Sequence, residues 1–383
     1  MTRTFVGVVS EEGGGSNPPV LAVAEGLRHR GDRVILVCDE RTSSSVVDVG
    51  AEPLLVPDEV GLRRFFGPDH FGGWAARLAE GDDLSTVPNP LQEWAAASGP
   101  GVEAELRGVR PDLVFGGLLT CALAERLAHV AGAPWAFVNP AYVFGPASGR
   151  SIEEDFAPGI PRHLFSTWLL PGVTSADVVL HATDREFDPV QQLSAHHHQV
   201  GPLFPTTSGQ DDDRFDLDGD SWALVSISTD MLGETDIVEH AIDALQLFDL
   251  PVLATAPGRA HELRPKHHDV RIEDYVPHDL VLGHSRLFIT HAGHGSVMRG
   301  LIHGVPMLLV PWGRDQPGVA YRASELGIGL VVDRHDLSTS TMKTAIEQLL
   351  SDASIVDAAH RISDRLRHED PIGATYGIFS DTI

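Results

Sequence analysis

The chain has 383 residues, of which 54 are Asp or Glu and 28 are Lys or Arg, for a formal net charge of −26. That length accommodates two domains that each bury a core, and 42% hydrophobic with 21% charged residues describes a globular rather than a disordered chain. The acidic balance excludes a nucleic-acid groove or an anionic membrane surface as the main partner, because like charge repels both. An anionic small molecule is still admissible, since hydrogen-bond donors at a helix N-terminus bind anions locally.

Taken in chain order, the pattern alternates short apolar strands with amphipathic helices, the mark of parallel α/β layers. Phe5–Val9 reads as a buried strand, followed by a glycine-rich loop (Gly13 to Pro19), a helix from Val20 to about His29 and a second strand at Val34–Val37. After Arg110-Pro111, Asp112–Phe115 reads as a strand, Cys121–Val130 as a helix and Trp135–Val138 as a strand. The stretch 205–220 lacks apolar periodicity and holds six of the 54 acids, so it reads as an acidic linker. The alternation then restarts, with strands at Ala223–Ile227, Val252–Ala254, Leu287–Thr290 and Met307–Val310. Helices fit at Ile237–Phe248, Gly295–His303 and Gly318–Leu326. Two Rossmann-like βαβ domains facing across a ligand cleft are the resulting expectation.

Cys38 and Cys121 sit in apolar stretches without CxxC spacing and read as buried thiols. No signal-peptide pattern precedes the first strand and no apolar run approaches membrane-span length, so a cytoplasmic protein without a membrane partner is expected. Several motifs fail. Gly13-Gly14-Gly15 gives G-x-G, but Pro18 takes the third glycine position of a dinucleotide fingerprint. Strings for a P-loop, a hydrolase elbow or a zincin are absent from the sequence. His196-His197-His198 and His267-His268 are poor chelators, because adjacent strand residues point to opposite faces; a surface loop is the reading for the triplet. Asp216-Leu217-Asp218 lies in the linker charge run rather than at a strand end, so no metal site is expected there.

The informative block lies in the second half: Thr290-His291-Ala292-Gly293-His294-Gly295-Ser296, Gly304-Val305-Pro306, and Pro311-Trp312-Gly313-Arg314-Asp315-Gln316-Pro317. A buried strand ends in a small-residue loop that opens a helix near Gly295. Backbone N–H groups at such an N-terminus carry partial positive charge and bind phosphate. Gly293 and Gly295 admit close approach of a diphosphate, and His291 and Ser296 add donors.

This block resembles the donor-binding signature of the GT-B glycosyltransferases, in the family that includes macrolide and other antibiotic glycosyltransferases. The likeness extends over most of the chain, from Pro19–Leu27 through Arg110-Pro111-Asp112 and Val200-Gly201-Pro202 to 276–330. It implies an acceptor-binding domain at 1–204, the linker at 205–220, a nucleotide-sugar-binding domain at 221–365, and a C-terminal segment, 366–383, packing back on the first domain. It further implies that Tyr275 stacks on the nucleobase with Val276 and His278 beside it. His291, Gly293, Gly295, Ser296 and Val297 would hold the diphosphate, with Ser228 and Thr229 assisting. Asp315 and Gln316 would hydrogen-bond sugar hydroxyls, a task that suits a carboxylate–amide pair.

The implied reaction is inverting transfer of a sugar, a deoxyhexose by preference, from a TDP- or UDP-sugar to a small hydrophobic natural-product aglycone. No metal or other cofactor is required, because the helix N-terminus and His291 stabilise the leaving diphosphate. A homodimer is compatible with this reading. A general base must take the acceptor proton, and here the chain departs from the family. Ser16 stands where the loop histidine is usual, Gly116 and Gly117 where its partner aspartate is usual, and Arg299 where a ribose-binding glutamate often stands. Three alternatives remain: Glu11 or Glu12 supplies a carboxylate, the acceptor is acidic enough to need little help, or the chain is a non-catalytic nucleotide- or aglycone-binding helper. A GT-B sugar-nucleotide epimerase is a further alternative. It fits less well with the aromatic residues of the first domain, of which Phe65, Phe71, Trp74, Tyr142 and Phe144 are candidate acceptor-pocket residues.

Overall fold

The computed structural model describes residues 2–66, 88–143, 170–190, 193–206, 217, 221–228, 234–248, 250–264, 269–313 and 315–383. The chain divides into two compact units, Met1–Ser208 with Asp370–Ile383, and Gly209–Glu369. The passage between them falls inside 205–220, most of which lies outside the described residues.

In the first unit seven strands form a parallel sheet in the order β3-β2-β1-β4-β5-β6-β7. They are β1 (Thr4–Val8), β2 (Arg33–Cys38), β3 (Glu52–Leu55), β4 (Leu113–Gly116), β5 (Trp135–Asn139), β6 (Val178–His181) and β7 (His197–Gln199). Strands buried on both faces need apolar residues at every position, and these have them. Val6, Val8, Ile35, Val37, Val114 and Phe137 join one core. The alternate positions Phe5, Val34, Leu36, Phe115, Ala136 and Val138 join the other. Helix α1 (Asn17–His29) starts three residues earlier than the sequence pattern suggests, with prolines in its first turn. Proline is tolerated there because those N–H groups have no intrahelical partner. Helices α2 (Pro90–Glu105) and α3 (Cys121–Ala131) follow. The C-terminal helix Pro371–Thr382 belongs to this unit: Phe379 is fully buried, with its ring 6.2 Å from Phe5 and 6.3 Å from Phe115.

The second unit repeats the plan with six parallel strands in the order β10-β9-β8-β11-β12-β13. They are β8 (Trp222–Ser226), β9 (Val252–Thr255), β10 (Val270–Glu273), β11 (Ser285–Thr290), β12 (Met307–Leu309) and β13 (Gly329–Val331). Helices α4 (Thr235–Leu245), α5 (His278–Leu282), α6 (His294–His303), α7 (Gln316–Glu325), α8 (Thr339–Ser351) and α9 (Ala353–Leu366) connect and cover them. Both units are doubly wound α/β layers, the GT-B class of architecture. In each, strand order reverses beside the first strand, between β1 and β4 and between β8 and β11. Ligands of such sheets bind outside the carboxyl ends of the strands at that reversal.

One sequence reading changes here. The histidine triplet is a surface loop only at His196, which lies in an exposed turn; His197 is buried and opens β7. Its burial rests on a partner from another strand, His181 of β6, whose Nε2 lies 2.9 Å from His197 Nδ1. The second histidine pair, His267-His268, lies outside the described residues. Cys38 and Cys121 are buried thiols as the sequence suggested, with burial pushing them up to about 11 and about 12. No helix among the described residues is long and apolar enough to cross a membrane.

Candidate functional site

At the reversal point of the second unit, β11 hands the chain to α6 through Ala292 and Gly293. The His291 amide donates to the carbonyl of Ser226, 3.3 Å away, which ties the ends of β11 and β8 together. Ala292 is fully buried and has φ 64, the one non-glycine residue with positive φ among the described residues. A left-handed alanine costs roughly 1–2 kcal/mol, so the surrounding packing holds this turn against its own preference. Gly293 is the N-cap of α6 and supplies no side chain to it. The first-turn amides of this 10-residue helix therefore receive no acceptor from the side chain of the N-cap residue.

His291 is buried, with Nδ1 3.5 Å from the Ser226 carbonyl. Its ring explains Gly293: a Cβ built there would stand 2.5 Å from His291 Nε2. The glycine thus makes room for the histidine, while the space at Gly295 is open. Ser296 is half-buried in the first turn. Val297 does not fit the anion role read for it. Its side chain is in the core, and its amide already donates to the Gly293 carbonyl at 3.0 Å.

Beside this loop, Tyr275 is 70% exposed, so its ring is open for stacking, whereas Val276 is buried and offers only backbone. His278 lies edge-on to Phe288, and its ring is pushed down to about 3, by burial first and then by Arg299 and His291. It is therefore a neutral imidazole at physiological pH. Arg299, at the position noted for the ribose-binding glutamate, pairs with Asp279, which also meets His303 Nε2 at 3.1 Å. Burial pushes the Arg299 guanidinium down to about 10, still charged at neutral pH. This ion cluster and the Asp279 carboxylate were missed in the sequence, because Asp279 and Arg299 are 20 residues apart and meet only once α5 packs on α6.

After β12, Gln316 is buried and its Oε1 accepts the amides of Trp312 at 2.8 Å and Gly313 at 3.2 Å. That oxygen is committed to the loop, so only the Nε2 end of Gln316 remains for the sugar role assigned to it. Asp315 stands at the N-cap of α7, yet its side chain makes no capping bond. Across the reversal, the Ser228 amide donates to the buried Glu234 carboxylate at 2.7 Å. Thr229 lies outside the described residues.

In the first unit the base candidates separate. Ser16 is buried at the start of α1. A Cβ built on Gly117 would come 3.8 Å from Ser16 Cβ and 3.2 Å from its carbonyl oxygen. The loop after β1 and the loop after β4 therefore do place these two positions side by side, with neither carrying an acid or an imidazole. Glu11 is not positioned as an unencumbered base. Arg41 and Arg63 sit 3.1 and 3.6 Å from its carboxylate, and all three line an open hollow of about 600 Å³ with Asp39. Of the acceptor candidates, Phe65 packs against the core. Tyr142 is buried with its ring stacked on Phe187 at 6.0 Å, so it has almost no surface for an aglycone. The Glu12 side chain, Phe71, Trp74 and Phe144 lie outside the described part of the structure.

Residues 239–372 match the family of the erythromycin biosynthesis protein CIII-like C-terminal domain. An uncharacterized UDP-glucosyltransferase, YojK of Bacillus subtilis (strain 168), is 26% identical over 233 residues, 60% of this chain and 56% of that protein. The chain thus aligns with little more than half the length of that relative. The demethyllactenocin mycarosyltransferase of Streptomyces fradiae is 25% identical over 379 residues, covering 92% of this chain and 79% of its own. Among solved structures, the glycotransferase of kitacinnamycin superposes over 100% of both chains with a TM-score of 0.77 at 22% identity. The chain has the GT-B fold, and its second unit is similar to the erythromycin biosynthesis protein CIII-like C-terminal domain.

Proposed function

We propose that this GT-B protein is an inverting glycosyltransferase that takes a sugar, a deoxyhexose by preference, from a TDP- or UDP-sugar and delivers it to a small natural-product acceptor. The observation that carries the reading is the end of β11. A strained Ala292 and the cleared space over Gly293 set His291 beside a helix N-terminus whose cap residue is a glycine. Such a group of donors suits a diphosphate, in a protein whose net charge of −26 provides no general attraction for an anion. The kinship with the mycarosyltransferase of Streptomyces fradiae supports the sugar class.

In this reading Tyr275 stacks on the base, the α6 amides with His291 and Ser296 hold the diphosphate, and Asp315 with Gln316 Nε2 orients the sugar. The acceptor is assigned to the first unit. Its nucleophilic atom attacks the anomeric carbon, the bond from that carbon to the phosphate oxygen breaks, and the nucleoside diphosphate leaves with the electron pair. Donors fixed before the reaction stabilise that developing charge without a metal ion. The acceptor proton passes to a base other than Ser16, or to solvent from an acidic acceptor.

The test is nucleoside diphosphate release from TDP- and UDP-sugars with a panel of aromatic polyketides and macrolides. His291→Ala is expected to lower turnover at least about tenfold, the scale of losing one charge-stabilising donor. Unchanged turnover overturns the diphosphate role. A second reading, a nucleotide-binding helper without catalysis of its own, is favoured by Ser16 beside Gly117 and by the two arginines on Glu11. Tight nucleoside diphosphate binding with no acceptor reacting selects that reading.

A further inference from the structure

Trp312 has no role in the site as described so far, yet it is an unusual residue. It is 43% exposed, at the carboxyl end of β12. Large exposed aromatics are costly to leave in water and are informative when the structure also holds them still. Tyr321, exposed by 62%, is accounted for by its hydroxyl bond to Glu325 one turn on. Trp312 has no such explanation, and two contacts fix it, one of them itself anchored. Its amide is bound by buried Gln316. The Arg334 guanidinium lies 4.5 Å from its ring centroid. Arg334 is in turn anchored by Asp236, 2.6 Å away at the start of α4.

The position is equally specific. Val310 donates its amide to the carbonyl of Thr290, so the two strand ends are in register; Trp312 follows two residues later, as His291 follows Thr290. Trp312 and the anion-binding loop thus stand at the same end of adjacent strands. Arg334 follows β13, the strand on the opposite side of β12. A guanidinium stands over one face of the ring, yet 43% of the residue stays exposed, and Gly313 next to it adds no side chain, with open space where its Cβ would stand.

We infer that Trp312 is an aromatic platform for the sugar of the donor, selecting sugars that present a C–H face. The inference rests on the glycosyltransferase reading and deepens it. A π face carries partial negative charge and meets polarised C–H bonds favourably, while it provides nothing for a hydroxyl. A sugar that lacks hydroxyls, a deoxyhexose, turns more C–H surface toward such a ring than a fully hydroxylated hexose does. Asp315 and Gln316 on the same loop then fix the hydroxyls that remain. Rigid support by Gln316, Arg334 and Asp236 means that little side-chain entropy is lost on binding.

The test compares the full chain with Trp312→Ala and Trp312→Phe by calorimetric titration with TDP, TDP-6-deoxyglucose and TDP-glucose, and with the UDP counterparts. Thermal melts confirm that each variant folds. Trp312→Ala is expected to weaken TDP-6-deoxyglucose about tenfold, to weaken TDP-glucose less, and to leave TDP within about twofold. Trp312→Phe is expected to recover most of the loss. Equal losses for TDP and for its sugars, or no loss for either, overturn the platform while leaving the glycosyltransferase reading intact. A change confined to acceptor KM also overturns it and reassigns the ring to the acceptor. If the wild-type chain binds no nucleoside diphosphate, the glycosyltransferase reading fails and the platform fails with it.

Discussion

At the end of β11 three neighbouring residues solve one problem. Ala292 accepts a left-handed backbone, Gly293 gives up its side chain, and His291 fills the space so created. Gly293→Ala should therefore act through the imidazole. The new methyl would lie 2.5 Å from Nε2, and the side chain is the part able to move. Gly293 itself has φ −62, which any residue adopts, so the fold should survive. The expected result is nucleoside diphosphate affinity weakened about tenfold, near the loss from His291→Ala, with the thermal midpoint little changed. A double variant should then show strong non-additivity, because both changes remove one interaction. The course of this loop was legible beforehand, as small residues between a buried strand and a helix. What the sequence hid was the reason for the glycine. Ring placement over a backbone position depends on two dihedrals of His291 that no spacing rule specifies.

Among elements, the ends of β5, β6 and β7 carry a polar chain whose direction follows from its partners. The Asn139 side-chain oxygen accepts the Ala141 amide, so its nitrogen donates to His181 Nδ1 at 2.8 Å. His181 Nε2 must then carry the proton donated to His197 Nδ1, and His197 retains a proton only on Nε2. Protonating either ring breaks the sequence of donors and acceptors. Burial, and then the neighbouring histidines, hold His181 well below its ordinary value and push His197 down to about 4. Each folded ring therefore binds fewer protons than its unfolded counterpart between about pH 4 and 6.5. Stability falls as pH drops through that window, by up to about 1.4 kcal/mol per pH unit per histidine. His303, pushed down to about 4 by burial and then Arg299 and Arg367, adds to the same slope in the second unit. Thermal midpoints should stay level above pH 7 and decline from pH 6.5 to 4. His181→Gln should flatten the decline of the first unit and leave that of the second. The strands themselves were largely readable from runs such as Val34–Val37 and Leu287–Thr290. β7 was not, because a three-residue strand rich in histidine has no apolar signature and owes its burial to His181, 16 residues earlier.

For the molecule as a whole, the charge and the chain path bear on the division of tasks proposed for the two units. Under the proposed function, a net charge of −26 offers no surface to gather an anionic donor, so recognition would rest on local dipoles such as the N-terminus of α6 in the second unit. The chain leaves the first unit at Ser208 and returns to it at Asp370, so its last 14 residues finish a domain begun more than 360 residues earlier. That closure is specific. Phe379 sits between Phe5 and Phe115, the Arg3 guanidinium donates to Ser380 Oγ at 2.6 Å, and Tyr376 lies under Arg30 at 4.9 Å. Removing a buried phenylalanine costs about 3–5 kcal/mol, so Phe379→Ala should destabilise the first unit by that amount, although the residue is the fifth from the end of the sequence. Its ring partners Phe5 and Phe115 both belong to the first unit, so the donor affinity proposed for the second unit should persist. Calorimetry should therefore show one early transition, with the later one unmoved, and titration with TDP should give a Kd within about twofold of wild type. Donor binding that collapses together with the first unit would mean that the site at α6 depends on the domain closed by the C-terminal helix, and the division of labour drawn from the chain path would be wrong.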